Sequence, residues 1–191
     1  QLLLIGYVLT WIFEAEHVAV LGGVLLVMAL VSTWIALRKV GRSRSAIYFK
    51  TLLVISVSSL FILAVVVMGV LTLNPVGESR IVIPLAGMIF SSAMTAVGLA
   101  AERYYSERAN GLTYLEARNQ AFSASMIPIV NSMLAVGLVA LPGMMTGQIL
   151  SGVSPMLAVR YQIVVMCMIM GVTGLSSAWF LYWVTGDKGE G

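Results

Sequence analysis

The side chains that could do chemistry here are few, and most are soft or neutral. The 191 residues include twelve methionines, one cysteine and one histidine. Met88, Met94, Met133, Met144, Met145, Met166, Met168 and Met170 lie in apolar stretches. A thioether suits a soft ion such as Cu(I), but methionine is also an ordinary filler of irregular apolar gaps. With no paired His or Cys beside these residues, the sequence favours packing. Cys167 reads as a buried, inert thiol and excludes an intrachain disulfide. His17, next to Glu14 and Glu16, could capture a metal weakly, but a solvated loop is the preferred reading. There is no phosphate-binding glycine loop, no zinc-ligand spacing and no nucleophile elbow. The chain is therefore not expected to be an enzyme or to carry a cofactor of its own.

Polar groups inside apolar runs are the next candidates, because at membrane depth they face a bundle interior or a wet cavity. Asn131 and Gln148 fall in one such run, Arg160 and Gln162 in another. Arg160 is expected to snorkel to the interface. Pro142 removes a helix hydrogen bond, so Leu141-Pro142-Gly143 predicts a kink or break. Gly143 and Gly147 have the spacing that lets two helix backbones approach closely. Broken helices line substrate sites in many transporters. Asn131, Pro142, Gly143, Met144, Met145, Gly147 and Gln148 are therefore the candidate translocation path, with a packing kink an equal alternative. Ser92, Ala96 and Ala100 form a small-residue stripe read as helix packing. Ser154-Pro155 reads as a capped helix start.

The elements that must position these residues follow from composition. Hydrophobic residues make up 60% of the chain and charged residues 10%, against about 25% charged in a soluble domain. Apolar runs cover residues 1–13, 17–37, 49–73, 81–101, 124–150 and 156–184. Most approach the roughly 20 residues that cross a bilayer as a helix, and none alternates as a barrel strand would. The expected fold is all-α, a polytopic transmembrane bundle of about six segments. It forms one domain over 1–185, with a cytoplasmic segment at about 102–123 and a frayed tail at 186–191. The chain opens at Gln1 inside an apolar run, without Met or a charged leader, so no signal peptide and an N-terminus short of the natural one are expected. Lys and Arg mark cytoplasmic loops. Placing Arg38, Lys39, Arg42, Arg44 and Lys50 inside, with alternation thereafter, puts nine of the eleven basic residues inside. Arg80 and Arg160 are the exceptions, and the C-terminus is cytoplasmic. The net charge of +3 is thus read as a topology signal, with the lipid bilayer and not nucleic acid as the partner.

Between Asn110 and Ser123, Tyr114, Leu115, Ala117, Ala121 and Phe122 recur near helical spacing with Glu116, Arg118, Asn119 and Gln120 between them. This predicts a short amphipathic helix, lying on headgroups or docking a soluble partner. The run Val136-Gly-Leu-Val-Ala-Leu-Pro-Gly-Met-Met-Thr-Gly-Gln-Ile-Leu-Ser-Gly-Val-Ser-Pro155, and Ala158-Val-Arg-Tyr-Gln-Ile-Val-Val-Met166 after it, resemble the permeases of the bacterial Fet-type iron-export ABC transporters. The plant aluminium-tolerance permeases belong to that same family. Ile83-Pro-Leu-Ala-Gly-Met-Ile89 and the opening Gln1-Leu-Leu-Leu-Ile-Gly-Tyr-Val8 match the family pattern as well.

The resemblance implies a bacterial inner-membrane permease that pairs with itself and with a cytosolic ATP-binding cassette subunit, which would hold ATP and Mg. It also likens Gly111-Leu-Thr113 and Glu116-Ala117 to the coupling loop of ABC permeases. Three departures stand out: members usually have a helix upstream of Gln1, a longer loop before the Gly-x-Thr element, and often an Asp where this chain has Asn131. The competing readings are a permease for a non-metal substrate and a non-transporting scaffold or regulatory subunit. No residue here selects iron.

Overall fold

The computed structural model describes residues 18–38, 44–71 and 79–185. The apolar run at 1–13, the Glu14–His17 cluster, Lys39, Arg42 and the tail at 186–191 lie outside them. The described residues form six helices: α1 (Val18–Ala36), α2 (Arg44–Ala64, continued by a π-helical turn Val65–Val70), α3 (Ser79–Ala109), α4 (Tyr114–Ala135), α5 (Gly143–Leu150) and α6 (Pro155–Trp179, continued by a π-helical turn Phe180–Val184). Four of these stretches are long and apolar enough to cross a membrane: Ala19–Ala36, Ile47–Val70, Ser79–Ala109 and Pro155–Trp183. The all-α bundle expected from the sequence is the fold observed.

Helix α3 is the hub, packed against α1, α2, α4 and α6. Its small residues explain why. Ala86, Ala93, Ala96, Ala100 and Ala101 are buried, and a Cβ on Gly98 would lie 3.3 Å from the Ala36 carbonyl oxygen of α1. Lipid supplies no hydrophobic drive between helices, so close backbone approach through small residues carries the packing. Burial is partly inverted. Thr33, Thr51, Ser58, Ser59, Ser176 and Ser177 are buried, while Leu26, Trp34, Phe49, Phe61 and Met68 are exposed. Several buried hydroxyls donate back along their own helix, as Ser58 does to Val54 (2.6 Å) and Ser176 to Val172 (2.6 Å). Apolar exposure on this scale suits lipid and not water.

Two boundaries depart from expectation. At 31 residues, or about 46 Å, α3 outruns the roughly 30 Å hydrocarbon core and carries its last turns beyond it. In addition, the amphipathic segment is not a separate helix. It is the first half of α4, which runs unbroken from Tyr114 through Pro128 to Ala135.

Candidate functional site

The turn between α3 and α4 is built by two local devices. Gly111 sits at φ +88°, a conformation only glycine adopts without strain. Its N–H donates to Arg108 (3.2 Å) while the Leu112 N–H donates to Glu107 (3.1 Å), the paired bonds that close a helix at a left-handed residue. Thr113 then starts α4 with a reciprocal cap. The Glu116 N–H donates to the Thr113 hydroxyl oxygen (3.4 Å), and the Thr113 N–H and hydroxyl donate to the Glu116 carboxylate (3.0 and 2.7 Å). Those hydrogen bonds hold the Glu116 carboxyl below its ordinary range. The Ser151–Ser154 turn repeats the first device. Gly152 has φ +94°, and Gly152 and Val153 donate to Ile149 and Gln148, each at 3.0 Å. Ser154 precedes α6, but its side chain makes no capping bond, so Pro155 alone carries the helix start expected there.

This changes how the Gly-x-Thr element is read. Gly111, Thr113 and Glu116 are exposed, yet their conformations and hydrogen bonds are committed to the turn. Ala117 is fully buried, the first of a stripe with Ala121, Ser125 and Ile129. Leu115 is exposed at this end (58%), as are Phe122 and, at the end of α6, Tyr182.

The turn is tied down on both sides. Arg103 pairs with Glu107 (2.7 Å) on its own helix and donates to Gln120 of α4 (3.3 Å). Arg108 donates to the Leu112 carbonyl (2.9 Å), and the Tyr114 hydroxyl donates to the Leu181 carbonyl (3.2 Å) at the end of α6. Tyr104, Tyr105 and Tyr114 form edge-on ring contacts. Arg118 lies over the Tyr114 ring, and Lys50 over Trp183. Basic and aromatic side chains at one end are the pattern of a membrane interface.

Beyond the turn, α4 borders a cleft of about 190 Å³ shared with α3 and α6. Its lining includes six hydroxyl residues: Ser91, Ser92, Thr95, Ser125, Ser132 and Thr173. Pro128 is also in the wall and has no N–H, which leaves the Ala124 carbonyl without its usual intrahelical donor. Sequence reasoning missed this cleft. Ser92 and Ala96 were read as packing alone, yet both line it, although Ala96 is also buried. The signal was present as serine and threonine at helical spacing on three separate segments. Only the fold brings them together.

The candidate path residues scatter. The break is real but starts before Pro142. α4 ends at Ala135, Gly137 takes φ +81°, and Val139 and Ala140 both donate to the Ala135 carbonyl. Pro142 then caps α5, accepting from Thr146. Among the described residues, Gly143 and Gly147 make no close helix contact: a Cβ on either would meet nothing within 4 Å. The tight backbone approach expected from their spacing is not made among those residues, where α5 is a short helix beside an open break. Asn131 is exposed and outside the cleft, where its neighbour Ser132 lies instead. Met144 is half-buried against the core. Met145 is buried and lines a groove at the break with Met133, Gln162, Met166 and Cys167. Gln148 Oε1 is buried without a hydrogen-bond partner among the described residues. Cys167 is exposed, not buried as expected, because it faces that groove and not the core. Among the described residues, no three His, Cys, Asp or Glu side chains group as a metal site.

Comparison with known proteins fits this architecture. The model of the family described as Uncharacterised protein family (UPF0014) matches residues 1–187, and the chain belongs to that family. It is 33% identical over 193 residues to the Escherichia coli (strain K12) protein named Probable iron export permease protein FetB, covering 93% of this chain and 73% of that one. It is 30% identical over 192 residues to Protein ALUMINUM SENSITIVE 3 of Arabidopsis thaliana, covering 93% and 69%. It is 33% identical over 195 residues to UPF0014 membrane protein YjkA of Bacillus subtilis (strain 168), covering 92% and 75%. No solved structure matches.

Proposed function

We propose that this chain is the membrane-spanning permease subunit of an ABC-type exporter. A separate cytosolic ATP-binding subunit would engage the turn between α3 and α4, and two copies of the chain would form the permease. The observation that carries this reading is the continuity of α4. One unbroken helix has the capped turn at its tip and the wall of the hydroxyl cleft along its body. Ser132 lies 19 residues from Thr113, about 28 Å along the helix. A push on the tip would therefore move the cleft wall. Alternating access needs that relation between a docking site and a midplane site. In this reading the turn is cytoplasmic, in keeping with the basic residues around it, and so is the C-terminus of a bacterial inner-membrane protein.

The names of the relatives support a permease, and the Escherichia coli relative's name makes iron the first substrate to test. The cleft itself favours a second reading within transport. Ser92, Thr95 and Ser125 donate to carbonyls of their own helices, which leaves their oxygens to accept hydrogen bonds and suits a polar, non-metal substrate.

The test is co-purification with a cytosolic ATP-binding subunit encoded beside this chain, followed by ATPase assays in liposomes. Turnover stimulated by Fe(II) supports the iron reading. Turnover indifferent to Fe(II) keeps the permease and removes the metal. Failure to form any complex removes the permease and favours a scaffold.

A further inference from the structure

At the break between α4 and α5, three elements place sulfur around one space. Met133 comes from the end of α4, Met145 from α5, and Met166 and Cys167 from α6. They line a groove of about 340 Å³ together with Gln162. Two features separate this from ordinary methionine packing. Thioethers that fill gaps leave no space, whereas these border a groove large enough for a ligand. Gln162 is only 6% exposed, and among the described residues its Oε1 has no hydrogen-bond partner. A buried amide oxygen left unpaired is costly, and a turn of the side chain toward the groove would give it a donor or a cation to meet.

We propose that this groove is a binding site for a soft monovalent cation, Cu(I) or Ag(I), held by the Cys167 thiolate and the Met133, Met145 and Met166 thioethers. Thiolate and thioether donors select Cu(I) over the harder divalent ions, and an amide oxygen is a known weak axial donor at copper centres, the place for Gln162. Charge agrees with the setting. On binding, the Cys167 S–H bond breaks, an S–Cu bond forms and the proton leaves to water, with copper remaining Cu(I) throughout. The product is neutral and costs little in a low-dielectric bundle. Fe(II) on the same thiolate would leave a net positive charge, which is expensive there. The site goes beyond the transport reading, since it would bind the ion whether or not the chain moves it.

The experiment is an anaerobic competition between the full-length protein in detergent or nanodiscs and a chromogenic Cu(I) chelator, with X-ray absorption on the product. The wild type should hold about one Cu(I) per chain in a sulfur shell. Cys167→Ser and Met166→Leu should each weaken it at least about tenfold. Met28→Leu, on α1 away from the groove, should leave it unchanged, and equimolar Fe(II) should not displace the copper. Cys167 is exposed and serine is nearly its size, so Cys167→Ser remains a valid test if the buried Met166→Leu fails to fold. A wild type that yields all its copper to the chelator, as a lipid-filled groove would, overturns the site. So does a Cys167→Ser variant that binds as tightly, or displacement by Fe(II).

Discussion

The Thr113 hydroxyl donates to the Glu116 carboxylate across 2.7 Å, and the Glu116 backbone N–H returns the contact to the Thr113 oxygen. The pair therefore spends its polar groups on starting α4, and a partner docking at this end meets a preformed tip. Thr113→Ala removes the hydroxyl and is expected to cost about 1 kcal/mol, read as a lower melting temperature in detergent. Thr113→Ser should restore most of it.

The same pair sets a pH dependence. The folded Glu116 carboxyl titrates below its ordinary value of 4.5 because of its hydrogen bonds to Thr113. Its stabilising contribution is complete above the ordinary range and is lost as pH falls through the depressed folded value. Melting temperature followed from neutral to acid pH should show this loss, and Glu116→Gln should reduce that part of the slope.

Packing makes opposite predictions at two small residues. Ala121 is fully buried in the α3–α4 seam, so Ala121→Leu overpacks it and should cost about 1–3 kcal/mol. Among the described residues, Gly143 has open space where a Cβ would stand, so Gly143→Leu should leave the melting temperature of the isolated chain nearly unchanged. A loss there appearing only in the assembled transporter would place a second copy against α5.

The cleft predicts a separation of transport from stability. Ser132 is exposed and Thr173 buried, and both line the space. Ser132→Ala and Thr173→Val change hydrogen bonding at little change in volume. Each should lower transport several-fold in reconstituted vesicles while the melting temperature stays close to wild type. Unchanged transport in the double variant would remove the cleft from the path.

Helix type was legible because 20-residue apolar runs have one solution in lipid, but the run at 124–150 divides between α4 and α5, and the run at 1–13 lies outside the described residues. One end fits closely, with α6 beginning at Pro155 as Ser154-Pro155 suggests, whereas α3 runs on to Ala109 and α4 begins at Tyr114. The break before Pro142 was legible in kind but not in position, since Gly137 ends α4 through a left-handed φ that hydropathy does not report. Thr113-x-x-Glu116 is itself a capping signature and could have been read as one. The hydroxyl cleft could not, because its residues come from three helices and each looks like packing on its own. Cys167 was placed by the apolarity of its segment, whereas its exposure depends on the groove that the α4–α5 break opens.

In the proposed transporter, the α4 tip receives the ATP-binding subunit. Leu115 tests it better than Glu116 or a deletion of 112–120, because it is exposed and plays no part in the cap. The measurement is co-purification of the ATP-binding subunit with Leu115→Arg, alongside the variant's own melting temperature. Docking on the α4 tip predicts loss of the complex with an unchanged melting temperature. Full retention of the complex by a stably folded Leu115→Arg would contradict it.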